Sequence, residues 1–275
     1  MRTRLLAGAV AGLSLALVGA LPAGAATPGN AQLSVLHGVP DLTVDVYVNN
    51  KLTLDNFAPG DMAGPLDLAP GTYTVAITAA DAADASAPVI GPIDLPLKAD
   101  TNYTAVAHLD AAGAPTATLF TNDLSTMAAG QGRLTVRHVA AAPAVDVLAG
   151  GTAVITGLVN PKESILNLPA GTVSASVAAT GTTAPLIGPA DVKVAEGTST
   201  IVYAWGSLEA NNLKLAVQTI GGMDSAPAGV PSGELGLASD SSSSSAPWLI
   251  GAALLVAAGG ALLLARRTPV RVSRD

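Results

Sequence analysis

Val44-Asp45-Val46-Tyr47-Val48 alternates apolar and polar residues, Asn49-Asn50 interrupts the run, and Lys51-Leu52-Thr53-Leu54 resumes it. Two short period-2 runs joined by two residues that tolerate positive φ are the signature of a tight β-hairpin. Working outward, Gln32 to His37 is rich in β-formers, and Gly71 to Thr78 alternates with Tyr73, Val75 and Ile77 on one face. Asn102 to Leu109 and Thr116 to Thr121 read as further strands. Turn residues recur roughly every ten positions and no segment sustains a 3.6-residue period. This pattern predicts an all-β chain, and its spacing predicts an antiparallel sandwich of about seven strands, Ig-like in size. Prolines are expected at strand boundaries, where a missing N–H does no harm.

The chain then repeats itself. Leu33-Ser34-Val35-Leu36-His37 returns as Leu134-Thr135-Val136-Arg137-His138, and Val44-Asp45-Val46 returns as Val145-Asp146-Val147 at the same spacing from the histidine. Leu68-Ala69-Pro70-Gly71-Thr72 returns as Leu168-Pro169-Ala170-Gly171-Thr172. Pro88-Val89-Ile90-Gly91-Pro92 returns as Pro185-Leu186-Ile187-Gly188-Pro189. Matches in register at this many points predict a tandem duplication over 31–125 and 131–222. The expected architecture is therefore two tandem Ig-like antiparallel β-sandwich domains plus one C-terminal transmembrane α-helix.

His37-Gly38-Val39-Pro40, Val44-Asp45-Val46-Tyr47-Val48-Asn49 and Leu68-Ala69-Pro70-Gly71-Thr72-Tyr73-Thr74-Val75 together resemble the DUF4397 domain family of bacterial secreted and surface proteins. The second copy keeps His138, Pro143, Val145-Asp146-Val147 and Pro169-Ala170-Gly171-Thr172, with Leu148 in place of Tyr47 and Val173 in place of Tyr73. The resemblance implies a β-sandwich in each copy. The family has no assigned function, so it supplies no catalytic residues.

The two ends read differently. Arg2 and Arg4, the apolar run Leu5 to Leu21, Pro22 and Ala23-Gly24-Ala25 predict a signal peptide of bacterial type over 1–26. Trp248 to Ala265 is apolar and uncharged; at 1.5 Å per residue it spans about 27 Å, close to a hydrocarbon core of about 30 Å. Arg266, Arg267, Arg271 and Arg274 follow it, which predicts a cytoplasmic tail over 266–275. Residues 223–247, with serines from Ser239 to Ser245 broken only by Asp240, read as a disordered tether. Leu237-Ala238-Ser239-Asp240-Ser241 lacks the Thr-Gly pair of a wall-sorting signal, so a plain membrane anchor is expected. These readings place the protein at the cell membrane, single-pass, with its N-terminal domains outside.

Composition narrows the chemistry. The 275-residue chain is 49% hydrophobic but only 3% aromatic and 12% charged, and it has no cysteine. Cores of small side chains are expected, and disulfides, thiol catalysis and Cys-zinc sites are excluded. Segment 31–125 holds 11 Asp against Lys51 and Lys98, net −9, whereas 131–222 balances to zero. The acidic first copy argues against nucleic acid and leaves divalent cations or basic protein surfaces as candidate partners.

His37 and His138 occupy equivalent positions, each eight residues before Asp45 or Asp146. Imidazole and carboxylate at a duplicated spacing are candidates for a general base or a metal site. The competing expectation is that each histidine closes its strand on turn backbone while the aspartate caps a loop, and one His with one Asp is too few ligands for a closed metal site. No G-x-S-x-G, S-x-x-K, H-E-x-x-H or P-loop occurs, and nothing points to a cofactor. The chain reads as a non-enzymatic surface protein for adhesion, envelope organisation or ligand capture, with an envelope or extracellular protein as partner. A binding component with a small ligand or cation between the copies is the alternative, and a hydrolase the third reading.

Overall fold

The computed structural model describes residues 29–224. The expected signal peptide, the transmembrane helix Trp248–Ala265, the basic tail and the tether beyond its first two residues lie outside the described residues. Among the described residues there is no helix, and none long and apolar enough to cross a membrane.

The first half contains β1 (Ala31–Gly38), β2 (Val44–Val48), β3 (Lys51–Phe57), β4 (Met62–Leu68), β5 (Gly71–Ala79), β6 (Ile90–Leu97), β7 (Asn102–Leu109) and β8 (Pro115–Thr121). The second contains β9 (Gln131–Ala141), β10 (Val145–Ala149), β11 (Thr152–Leu158), β12 (Glu163–Pro169), β13 (Gly171–Ala179), β14 (Pro185–Val194), β15 (Ser199–Ser207) and β16 (Lys214–Ile220). Four four-stranded sheets result. Their orders are β4-β1-β7-β8 and β3-β2-β5-β6 in the first half, and β12-β9-β15-β16 and β11-β10-β13-β14 in the second. The two halves therefore share one topology.

The hairpin of the opening motif forms as its sequence dictates: Val48 pairs with Lys51, and Asn49 and Asn50 take φ of 49° and 62°. The expectation of a purely antiparallel sandwich is corrected. β1 runs parallel to β7, with Gln32 opposite Asn102, and β9 runs parallel to β15. A parallel pair needs a long crossover, and the strands between β1 and β7 supply one.

The expected count of about seven strands becomes eight in each half; in the first half the two strands without a sequence reading, β4 and β6, carry prolines inside them. Pro65, Pro92 and Pro96 sit within edge strands, where the absent N–H faces no ladder partner. The Gly-Pro element of the repeat marks a bulge: Val75 pairs with Ile93 and Ile77 with Ile90, one extra residue on β6. Gly91 there has φ +96°, and a Cβ on it would lie 2.6 Å from the Val75 carbonyl oxygen. Gly188 repeats the geometry, with φ +89° and 2.8 Å to the Ala175 oxygen.

The two halves meet face to face. In β7, Tyr103, Ala105, Ala107 and Leu109 point into the first sandwich, while Val106 joins Leu36, Phe120, Val139, Ile201, Tyr203 and Trp205 in an apolar seam. The sheets holding β7 and β15 are thus covered on both sides, and both strands are buried almost from end to end. The result is four stacked layers.

Apart from Trp205 Nε1, which has no partner, the polar groups described next bond each other across the seam. The Arg137 guanidinium, 1% exposed, donates to Glu163 Oε2 at 2.7 Å, Tyr203 Oη at 2.9 Å and Asn122 Oδ1 at 2.8 Å, and lies 4.3 Å over the Phe120 ring. The Tyr203 hydroxyl donates to Gln218 Oε1, which also accepts from Thr104 of the first half. Burial raises the pKa of the Tyr203 phenol and keeps it a donor.

Candidate functional site

The four residues singled out in the sequence are all buried, and all face their own loops. His37 and its equivalent His138 end the apolar part of β1 and β9, and each turns Nε2 to a carbonyl five residues on. The partners are Leu42 at 2.6 Å and Pro143 at 3.0 Å. A carbonyl only accepts, so Nε2 carries the proton in both rings. Nδ1 of His138 accepts from the Ala140 N–H at 3.4 Å, whereas Nδ1 of His37 has no partner and its ring stacks on Phe57.

Asp45 Oδ1 accepts from the Asn56 N–H, and Asp146 Oδ1 from the Gly157 N–H, both at 2.8 Å. Asp146 also accepts from the Gly181 N–H. The backbone donors of Gly181 and Gly157 hold the Asp146 carboxyl below the usual aspartate range. These aspartates seat the bulge of β3 and β11.

Each His and Asp therefore serves a separate turn, and no hydrogen bond joins the two within a pair. His108 is likewise occupied: Nδ1 donates to the Leu109 carbonyl and Nε2 accepts from the Thr118 hydroxyl. Burial lowers the pKa of all three imidazoles, opposed by the carbonyls they bond. Among the described residues no group of three His, Asp or Glu converges as a metal site.

A groove of about 460 Å³ runs where the halves meet, between Met62, Gly64 and Pro65 on one side and Val217 to Gly221 on the other. It has no charged lining residue, so it offers no carboxylate to a cation.

The two sandwiches differ sharply inside. Between the sheets of the first lies an apolar cavity of about 210 Å³, lined by Leu33, Val35, Val46, Leu54, Tyr73, Val75, Ile93, Leu95, Ala105 and Ala117 among others. The same place in the second holds about 20 Å³. Strand pairing explains the difference. Ala107 faces Ala117 across β7 and β8, while Ala204 faces Leu215 at the equivalent site, and Val202 stands where the first half has Ala105. On the opposite wall the first half is the larger, with Val75 and Ile93 against Ala175 and Ala190. Large side chains on one wall hold the first sandwich open, and alanines on the other do not reach across.

The cavity lining reaches the sheet edges β3 and β4, which approach each other less closely than their counterparts β11 and β12. Lys51 and Thr53 of β3 stand there, and Thr152 and Val154 replace them in the closed half. Sealed from water, an unfilled space of this size would cost up to about 5 kcal/mol at about 24 cal/mol per Å³, comparable to the whole stability of a small domain. The second half demonstrates that the topology does not require it.

The sequence reading did not reach this cavity. The small-to-large changes at Ala105/Val202 and Ala117/Leu215 were its signal, readable once the repeats are aligned strand by strand. Among curated proteins, none matches the chain. A family model does: residues 31–148, which cover the whole cavity-bearing half and run on to Leu148 in β10, match DUF4397, a domain of unknown function.

Proposed function

We propose that this is a non-enzymatic surface protein that captures a small apolar ligand. In this reading residues 1–26 direct export, Trp248–Ala265 anchors the chain, 223–247 tethers it, and two tandem DUF4397-type sandwiches are displayed outside. The observation that carries the proposal is the apolar cavity of about 210 Å³ in one half and its near-absence in the other. A cavity lined by aliphatic side chains excludes water and accepts apolar guests of matching size. Catalysis at the duplicated pairs is disfavoured because His37, Asp45, His138 and Asp146 are engaged by loop backbone, so none of these four serves as an exposed acid or base.

Thermal melting of the purified chain against a panel of small apolar compounds tests capture, because a ligand that binds the folded state raises the melting temperature. A rise of several degrees with compounds that fit the cavity is expected. Melting unmoved by the entire panel overturns the reading. Protease treatment of intact cells tests display: the segment 31–222 should be digested from outside while the tail after Arg266 survives.

A further inference from the structure

We infer that the ligand is a single-chain amphiphile with a carboxylate head, its chain in the cavity of the first half and its head at Lys51. The inference rests on the capture reading and adds the ligand's class. A cavity of about 150 Å³ holds benzene, six carbons, so 210 Å³ scales to a chain of about eight carbons. A linear guest suits a space that lies between two sheets and is lined along β5 from Tyr73 to Ile77 and along β6 from Ile90 to Leu95.

The head follows from the charge at the β3 edge. Lys51 is the single charged residue lining the cavity, and one of two cations in a segment with eleven aspartates. Its ammonium makes no salt bridge among the described residues, so it is not already neutralised by the acids around it. The net charge of −9 opposes an anion, but at physiological ionic strength charges beyond about 8 Å are largely screened. Lys51 is then the charge that the head of a guest in the cavity meets, because no other charged residue lines it. The closed half lacks both features together, with Thr152 at the position of Lys51 and Leu215 at that of Ala117. A cavity without a cation, or a cation without a cavity, would have no such coincidence.

The test is calorimetric titration of the full chain with octanoate, 1-octanol and octylamine, every arm in the same solubilising medium. A filled variant, A105V/A117L, takes its residues from the closed half and serves as the background for partitioning into that medium. Octanoate should bind the parent chain and not the filled variant. Lys51→Met, on an exposed strand edge, should weaken octanoate about tenfold, the loss of one charge-assisted contact, and leave octanol unchanged. The filled variant should melt at or above the parent temperature, and Lys51→Met keeps the test decisive if the filled variant fails to fold. Octanol binding as tightly as octanoate, with no effect of Lys51→Met, overturns the carboxylate assignment and leaves capture standing. None of the three binding above the filled variant overturns both.

Discussion

Removing Glu163 should harm this protein more than removing the arginine it pairs with. The Arg137 side chain is 1% exposed and that of Glu163 is 28% exposed. In Glu163→Ala the guanidinium keeps Tyr203, Asn122 and the Phe120 ring but loses its counter-ion. A buried charge stripped of its partner costs about 3–5 kcal/mol. Water reaches the position of Glu163, which sets the expected cost at the lower end, about 3 kcal/mol. In Arg137→Met the volume is kept and the charge is gone. Glu163 then turns to solvent, and the Tyr203 hydroxyl still donates to Gln218 at 2.6 Å. Asn122 Oδ1 loses its donor, and the Tyr203 oxygen loses the bond it accepts while keeping the one it donates; one buried acceptor left without a donor costs about 1–2 kcal/mol, the lower part of the range for such groups. The equivalent position of the first copy is Leu36, so an apolar side chain is at home on this strand. The assay is urea unfolding followed by the fluorescence of Trp205, which packs in the same seam. A loss of 3 kcal/mol moves the midpoint by about 1–2 M, and the double variant should lie within about 1 kcal/mol of Arg137→Met. If Arg137→Met proves as costly as Glu163→Ala, the argument from uncompensated charge is wrong.

Gly91→Ala should cost about 1–3 kcal/mol, because Gly91 has φ +96° and the new Cβ would meet the Val75 oxygen at 2.6 Å. Gly71→Ala, whose Cβ meets nothing, is the control, and equal melting temperatures for the two would undo the bulge account. Stability should fall as pH drops below 6.5, the ordinary histidine value, because His37, His108 and His138 have lowered pKa values when folded. The unfolded chain then binds more protons than the folded one, so the term is fully favourable above 6.5 and is lost as pH falls through the depressed values. Each excess proton tilts stability by about 1.4 kcal/mol per pH unit. Denaturation midpoints at pH 7 and pH 5 measure it, and a midpoint unchanged across that window contradicts the neutral, buried imidazoles.

Strand-level features were legible because they rest on local chemistry. The Asn49-Asn50 hairpin follows from the φ its turn needs, and the face formed by Tyr73, Val75 and Ile77 follows from period 2. β4 and β6 were missed for the complementary reason. Proline signals against a strand, and only the position at a sheet edge, a tertiary fact, removes the objection at Pro65, Pro92 and Pro96. The histidine and aspartate positions were found as duplicated features, but their partners are loop carbonyls and amides whose approach no spacing reveals.

Periodicity, turn chemistry and internal matching were enough, by themselves, to establish from the amino-acid order an all-β fold over the described residues, built on a duplicated pattern. Three things were decided only by the assembled sheets. Parallel pairing of β1 with β7 depends on which strands become neighbours across some seventy positions of chain. The seam depends on two sheets each burying a second face, which turns Arg137 and Thr104 from apparent surface residues into interior ones. The cavity depends on the difference between two walls, large side chains on one and alanines on the other. Volume is a property of the space between elements, and it becomes visible only when both walls are in place.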